Sequence, residues 1–324
     1  MLNRLFSPAP SPCPLPKGEG SVIALAFIAA LSLVTALGPQ SLASGPPKGY
    51  RKLGPGVETT IAAEPNPQDT VTTHDIVEIQ SEGKQLDWKP ETQSSSDTLK
   101  VLTKDIPFRR GVWYLEFTFK PLRIINVDMP LADGKMSDRL VWYMLYRVKN
   151  LGQHLEADPE GNKNQSLAAN QPTTEEIHFH PQFVLESPQF KKAYLDRVLP
   201  LAVEAIEKRE DPHRKLLDTV QMGEQPIPLS TADDDHSVWG VATWEYIDPR
   251  IDFFNVYVKG LTNAYRFADP AGAYKLGDAP GTGRLFAQKT LKLNFWRPGD
   301  EHDPAKEEIY YGIPGQVDHE WVFR

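Results

Sequence analysis

Apolar and polar residues alternate with a period of two in several separate runs, those runs are rich in aromatic side chains, and a single stretch carries helical spacing. The sequence therefore predicts a mostly β fold. Two antiparallel sheets hiding their apolar faces against each other, as in an immunoglobulin-like β-sandwich with a short helical insertion, fit the pattern best, and a small jelly roll is the alternative. No internal repeat with a period of roughly 20–50 residues is present, which disfavours propellers and solenoids.

In chain order the first expected element is a signal peptide, residues 1–43. Residues 21–37 are nearly all apolar, Lys17 supplies a positive flank before them, and the small residues Ser41 and Ala43 follow, so cleavage is expected after Ala43. Residues 1–16, where Pro8, Pro10, Pro12, Pro14 and Pro16 alternate, form an atypical N-terminal extension of the kind a start codon placed too early would give. The expected location is periplasmic or extracellular, with no stable membrane span after cleavage. A retained anchor through 21–37 is the alternative, because about 20 apolar residues span a bilayer. The single cysteine, Cys13, precedes the apolar run, so the mature chain is expected to hold together without disulfides.

Residues 44–68 read as a Pro/Gly-rich linker or loosely held arm, broken by Gly45-Pro46-Pro47, Gly54-Pro55-Gly56 and Pro65-Asn66-Pro67. Residues 69–324 then form the sandwich-like domain. In Val112–Phe119 the apolar face is Trp113, Leu115, Phe117 and Phe119. Leu140–Val148 is apolar on both faces, which predicts a central strand with Leu140, Trp142, Met144, Tyr146 and Val148 inward. Trp239–Ile247, Ile251–Val258 and Ala287–Trp296 repeat the strand pattern, and the turn Asp248-Pro249-Arg250 predicts a hairpin between the first two. The helical insertion is expected near 187–211. Tyr194, Val198, Ala202, Ala205 and Ile206 recur at helical spacing there, Pro200 suits a first turn, and the pattern is firmest over Leu201–Arg209.

Composition narrows the function classes. With 35 Lys and Arg against 43 Asp and Glu, the net charge is −8, and removal of Arg4, Lys17 and Glu19 with the signal leaves about −9. Nucleic acid is therefore not an expected partner, since no broad basic field exists to hold phosphates. Catalytic nucleophile motifs are missing as well: no Gly-x-Ser-x-Gly elbow occurs, no Ser-x-x-Lys stands out, and Gly281-Thr-Gly283 is too short for a dinucleotide loop.

Glu176, His178 and His180 are spaced so that on a strand all three share one face, while Ile177 and Phe179 take the other. Two imidazoles and a carboxylate suit Zn²⁺ or Fe²⁺, with Glu186 or His236 to complete the shell. A solvated strand face explains the same pattern more plainly. Asp233-Asp234-Asp235-His236 offers oxygen ligands for Ca²⁺ but lacks EF-hand spacing, so a solvated turn is the simpler reading. Arg297, Asp300, Glu301, His302 and Asp303 read as a salt-bridged loop. Of the tryptophans Trp113, Trp142, Trp239, Trp244, Trp296 and Trp321, at least four are expected in the core, with Trp296 the best candidate for an exposed sugar-stacking ring.

The phrases Val141–Gly152 (VWYMLYRVKNLG), Trp239–Asp248 (WGVATWEYID) and Leu293–Glu301 (LNFWRPGDE) resemble an uncharacterised group of exported bacterial proteins. The resemblance covers residues 70–324. It implies secretion and a β-sandwich-like body, and no particular activity. His178-Phe179-His180 with Glu186 also partly resembles a cupin metal motif, but the glycines and the closer acidic spacing of that motif are absent, so no cupin assignment follows. The expected function is thus a non-catalytic binding or structural module of the cell envelope, whose partner is an envelope protein or a glycan. The alternatives are a metal-dependent enzyme using Glu176, His178 and His180, and a carbohydrate-binding module.

Overall fold

A computed structural model of the chain describes residues 56–73, 107–131, 133–157, 166–168, 176–268, 270, 282–298 and 308–324. The expected signal segment with its apolar run 21–37 and Cys13, the linker residues 44–55, and Asp300, Glu301, His302 and Asp303 lie outside the described residues.

The described chain is mostly β. It runs through β1 (Thr59–Ile61), a 3-10 turn (Pro67–Thr70), β2 (Val71–Thr73), β3 (Pro107–Arg109), β4 (Val112–Trp113), β5 (Glu116–Phe119), β6 (Arg123–Pro130) and β7 (Met136–Lys149). There follow β8 (His154–Ala157), β9 (Ser166–Ala168), β10 (Ile177–His178), β11 (Gln182–Ser187), β12 (Lys192–Leu195), helix α1 (Pro200–Glu210), helix α2 (Thr219–Glu224) and β13 (Pro226–Ile227). The last elements are β14 (Val238–Glu245), β15 (Phe253–Lys259), β16 (Tyr265–Ala268), β17 (Leu285–Trp296), β18 (Tyr310–Tyr311) and β19 (His319–Phe323). Among the described residues no helix is long and apolar enough to cross a membrane.

Two antiparallel sheets carry the architecture. One has five strands in the order β1-β5-β7-β14, with β6 also paired to β7. The other has seven, in the order β12-β11-β15-β17-β16, with β18 and β19 also paired to β17. The two sheets share one core. Trp142 of β7 meets Phe254 of β15 edge-on at 5.4 Å, Tyr146 meets Phe183 of β11 at 4.8 Å, and Phe119 of β5 meets Phe295 of β17 at 5.9 Å. Ring pairs of this kind add about 0.5–1.5 kcal/mol each beyond their buried area.

The central position expected for Leu140–Val148 follows from its two apolar faces. Trp142, Met144, Tyr146 and Val148 enter the shared core, with Leu140 packed against it. Val141, Tyr143 and Leu145 point the other way and form a second cluster with Val127 and Met129 of β6, Val241 of β14, and Ala202 and Ile206 of α1. Helix α1 thus lies on the outer face of the five-stranded sheet. Pro200 occupies its first turn, where a missing N–H leaves no bond unmade. The expected helical stretch begins later than 187, because Lys192–Leu195 pairs as β12 with β11 and puts Tyr194 opposite Leu185.

Two other expectations change. Val112–Phe119 is not one strand: β4 pairs with β8, whereas β5 pairs with β1 and β7, and Tyr114 between them bridges to Thr262. The hairpin expected across Asp248-Pro249-Arg250 does not form either. β14 pairs with β7 in one sheet and β15 pairs with β11 and β17 in the other. Trp244 and Phe254 are both fully buried, and their apolar faces are satisfied from opposite sides of the core, so the chain crosses between layers there. Within the Pro/Gly-rich segment, Thr59–Ile61 is stitched to β5, although looser structure was expected.

Gly240 on β14 stands directly opposite Tyr146 on β7. The phenol lies across the glycine: a Cβ at position 240 would sit 2.5 Å from the Tyr146 Cζ and hydroxyl oxygen and 2.7 Å from Met222 Cε. That hydroxyl is buried and makes no hydrogen bond among the described residues. Burial, reinforced by the Asp196 and Asp218 charges, raises its pKa well above the usual phenol value. Urea titration is expected to show Gly240→Ala destabilised by about 1–3 kcal/mol through overpacking. Tyr146→Phe, which removes an unsatisfied buried hydroxyl, is expected to be neutral or stabilising; a large loss for it would mean the phenol has a partner.

Candidate functional site

Where β14 ends and the chain leaves its sheet, a pocket of about 220 Å³ opens, lined by Arg139, Leu140, Trp142, Glu245, Tyr246 and Ile247. Pairing of β7 with β14 sets its walls. Trp244 opposes Trp142 and Glu245 opposes Val141, so the last residue of β14 arrives beside the outer half of β7. Glu245 is only 8% exposed. Two guanidinium groups reach it: Arg139 Nη1 donates to Oε2 at 3.2 Å, and Arg197 Nη1 donates to Oε1.

Arg197 is delivered by the strap between β12 and α1. Its backbone N–H donates to the Thr243 carbonyl at 2.8 Å, and the Thr243 hydroxyl donates back to the Arg197 carbonyl. The strap therefore covers part of the outer edge of β14 as well as supplying a charge.

Tyr246 is the unusual residue of the pocket. Its φ is 60°, in the left-handed region that a bulky side chain rarely adopts, and its side chain is among the most exposed of the large apolar ones at 64%. Arg139 holds it, donating to the phenol oxygen and placing its guanidinium carbon 5.0 Å from the ring centroid. Beneath the pocket, Arg297 is 1% exposed, donates to the Pro249 carbonyl and lies 5.4 Å from the Trp142 ring.

The corner beyond Tyr246 is locked by Asp248. Its carboxylate accepts from Arg250 Nε and Nη2 at 2.9 Å each and from Lys192 Nζ at 2.9 Å. Those bonds, Arg250 first, hold its pKa well below the usual carboxylate range. Asp196, at the start of the strap, behaves oppositely: burial raises its pKa despite hydrogen bonds from the Thr219 hydroxyl and the Phe183 N–H.

Glu176, His178 and His180 lie on one exposed side of β10 and its flanks, with Ile177 and Phe179 buried opposite, as the spacing implies. The two imidazoles stack at 6.1 Å with their planes 12° apart. Neither expected fourth ligand is committed to that face: Glu186 pairs with Arg324 at 2.5 Å and His236 with Asp234 at 3.0 Å. Among the described residues no group of three or more His, Cys, Asp and Glu side chains is arranged to hold a metal ion. In the acidic run, Asp235 pairs with Lys149 of β7 at 3.3 Å and accepts the Ser237 N–H at 3.0 Å.

Trp142 and Trp244 are buried core residues, and Trp113, Trp239, Trp296 and Trp321 are half-buried. Trp296 stacks on Phe253 at 6.4 Å and packs at a tilt against Tyr310 at 5.2 Å instead of standing free. The exposed aromatic at the pocket is Tyr246, which sequence reasoning missed. Its only sign was a bulky ring between a strand and an Asp-Pro turn, and Arg139 and Arg197 are too far away in the chain to suggest the pairing. No family model, no curated protein and no solved structure matches this chain.

The two aspartates give pH effects of opposite sign in separate windows. Asp248, with a lowered folded pKa, stabilises above the ordinary carboxylate range and loses that contribution as acid drives the pH below about 4. Asp196, with a raised folded pKa, favours folding below that range and less as pH rises through its folded value. Thermal melts across pH are expected to show a shallower acid limb below about pH 4 for Asp248→Asn. For Asp196→Asn, the loss of stability on acidification toward pH 4 should be steeper than in the wild type. Equal profiles for the two variants would contradict the assigned shifts.

Proposed function

We propose that this chain is an exported, non-catalytic binding module of the cell envelope with an immunoglobulin-like sandwich body, and that the pocket beside Tyr246 is its ligand seat. Export rests on the apolar run 21–37 with its flanking Lys17 and small residues. The sandwich reading is supported by two antiparallel sheets whose aromatic faces meet. Tyr246 carries the binding reading. A bulky residue at positive φ costs about 1–2 kcal/mol, and such strain concentrates where a side chain serves a ligand.

The polar groups of the pocket favour holding over reacting. Glu245 is bridged by two guanidinium groups and the Tyr246 hydroxyl is tied to Arg139, so neither stands ready as a base or nucleophile. The volume, below the roughly 300–1,000 Å³ of drug-sized sites, suits one ring or one side chain. An exposed tyrosine face beside paired Arg and Glu favours a sugar ring, which stacks on aromatics and hydrogen-bonds planar charged groups. A glycan is thus the ligand class to examine first, with an aromatic peptide side chain second.

Glycine at 246 relieves the backbone strain and deletes the ring. Tyr246→Gly is expected to melt within a few degrees of the wild type while losing at least tenfold in affinity for any ligand selected on a glycan and peptide panel. Wild-type binding that survives the substitution would move the seat elsewhere, and a strongly destabilised variant would make Tyr246 a structural residue.

A further inference from the structure

The most deeply buried charge pair in the described chain lies away from that pocket. Asp69 sits in the 3-10 turn of the N-terminal segment and Lys289 in β17, 220 positions apart, with exposures of 1% and 5%. Lys289 Nζ is 2.6 Å from Asp69 Oδ2. Both partners are fixed before they meet. The Asp69 N–H donates to Asn66 O at 2.8 Å and its carbonyl accepts from Arg110 Nη2 at 3.2 Å, while the Lys289 N–H donates to Ala264 O at 2.9 Å. The rings of Tyr114 and Trp321 lie 5.5 and 5.8 Å from the ammonium and keep the site apolar.

As an ion pair the arrangement is poorly matched. Oδ2 accepts from Lys289 and from the Tyr114 hydroxyl at 3.2 Å, but Oδ1 is buried and accepts no hydrogen bond among the described residues. Its nearest cation, Arg266 Nη2, stops at 3.7 Å. An ionised carboxylate oxygen left unsatisfied in an apolar site is costly, whereas a neutral amide oxygen costs much less. On the other side, Nζ of the ammonium has three protons and, among the described residues, directs two of them to Asp69 Oδ2 and the Glu64 carbonyl. An amide needs one acceptor for its N–H and one neighbour for its C=O. Glu64 O is the acceptor, and Arg266 stands beside Oδ1.

We propose that Lys289 and Asp69 are joined by an amide bond between Nζ and Cγ, formed by the folded chain itself. The N–Cγ bond forms and the Cγ–Oδ2 bond breaks. Two protons of the ammonium leave on Oδ2 as one water, so no oxidant, reductant or co-reactant is consumed. Tyr114 bonds to the oxygen that departs, and burial together with the Asp69 charge raises its pKa, keeping the phenol protonated as a donor. Fixed contact in an apolar site supplies the high effective concentration that condensation needs. The product is a covalent clasp from the N-terminal segment to β17, in a part of the chain that contains no cysteine.

Intact mass spectrometry of the purified chain under denaturing conditions tests this directly. The wild type is expected to be lighter than its own sequence by one water, and digestion is expected to give a branched peptide containing residues 69 and 289. Lys289→Met and Asp69→Ala are each expected to restore the full sequence mass. Because the branched peptide is read from the wild type, the result does not depend on either variant folding. A wild type at full mass overturns the proposal, as does a water loss that persists in Lys289→Met or maps to another pair of residues.

Discussion

Strand β7 carries large apolar side chains on both faces, and neither face can be left in water without losing about 1.5–3 kcal/mol for each fully buried side chain. One face, with Trp142, Met144, Tyr146 and Val148, requires a second sheet. The other, with Val141, Tyr143 and Leu145, requires a further cover, which α1 and Leu216 provide. The helix is seated by its polar end as well. Glu210 accepts from the Tyr143 hydroxyl at 2.6 Å and pairs with Arg123 at 2.5 Å, and Arg209 donates to the Ile124 carbonyl at 2.7 Å. After the helix the chain returns to the sheet, where Leu217 exchanges backbone hydrogen bonds with β14. An amphipathic helix, an irregular return and a second sheet are thus consequences of one doubly apolar strand.

What could be read from the sequence was whatever depends on local period. Double-sided apolarity placed β7 in mid-sheet, alternation placed Leu115, Phe117 and Phe119 inward, and Pro200 marked a first helical turn. What could not be read depends on which strand meets which. Asp248-Pro249-Arg250 has the chemistry of a tight turn and does form one, with Ile251 N–H donating to Asp248 O. Turn residues, however, do not say whether the strands on either side share a sheet. The same blindness hid the pocket, because Arg139, Arg197 and Glu245 approach only after three separate segments have been placed. The spacing of Glu176, His178 and His180 did predict a shared face; a shared face alone does not bring a further ligand to it.

Segments without regular pairing are held by charges that meet across long separations in the chain. Glu210 gathers Lys120 and Arg123 beneath α1, Glu245 gathers Arg139 and Arg197 at the strap, and Asp248 gathers Lys192 and Arg250 at the corner. Each of these carboxylates is at most 7% exposed in its side chain. Such pairs are not strong net contributors to stability relative to apolar packing, yet losing one partner leaves the carboxylate without its compensating charge. They act as specifiers: a misplaced strap or corner would leave a carboxylate uncompensated.

The corner that follows β14 combines these effects. A chain passing from one layer to the other cannot keep its ladder of hydrogen bonds, so the backbone turns irregular at the boundary between two rigid sheets. Irregular backbone tolerates a left-handed tyrosine that a strand would reject, and the neighbouring sheet edge supplies fixed walls in Leu140 and Trp142. Arg139 then clamps the ring from the strand side while Asp248 clamps the turn from beyond. Rigidity on both flanks leaves the exposed face of Tyr246 as a pre-positioned surface, so a ligand docking there would not have to order a flexible loop first.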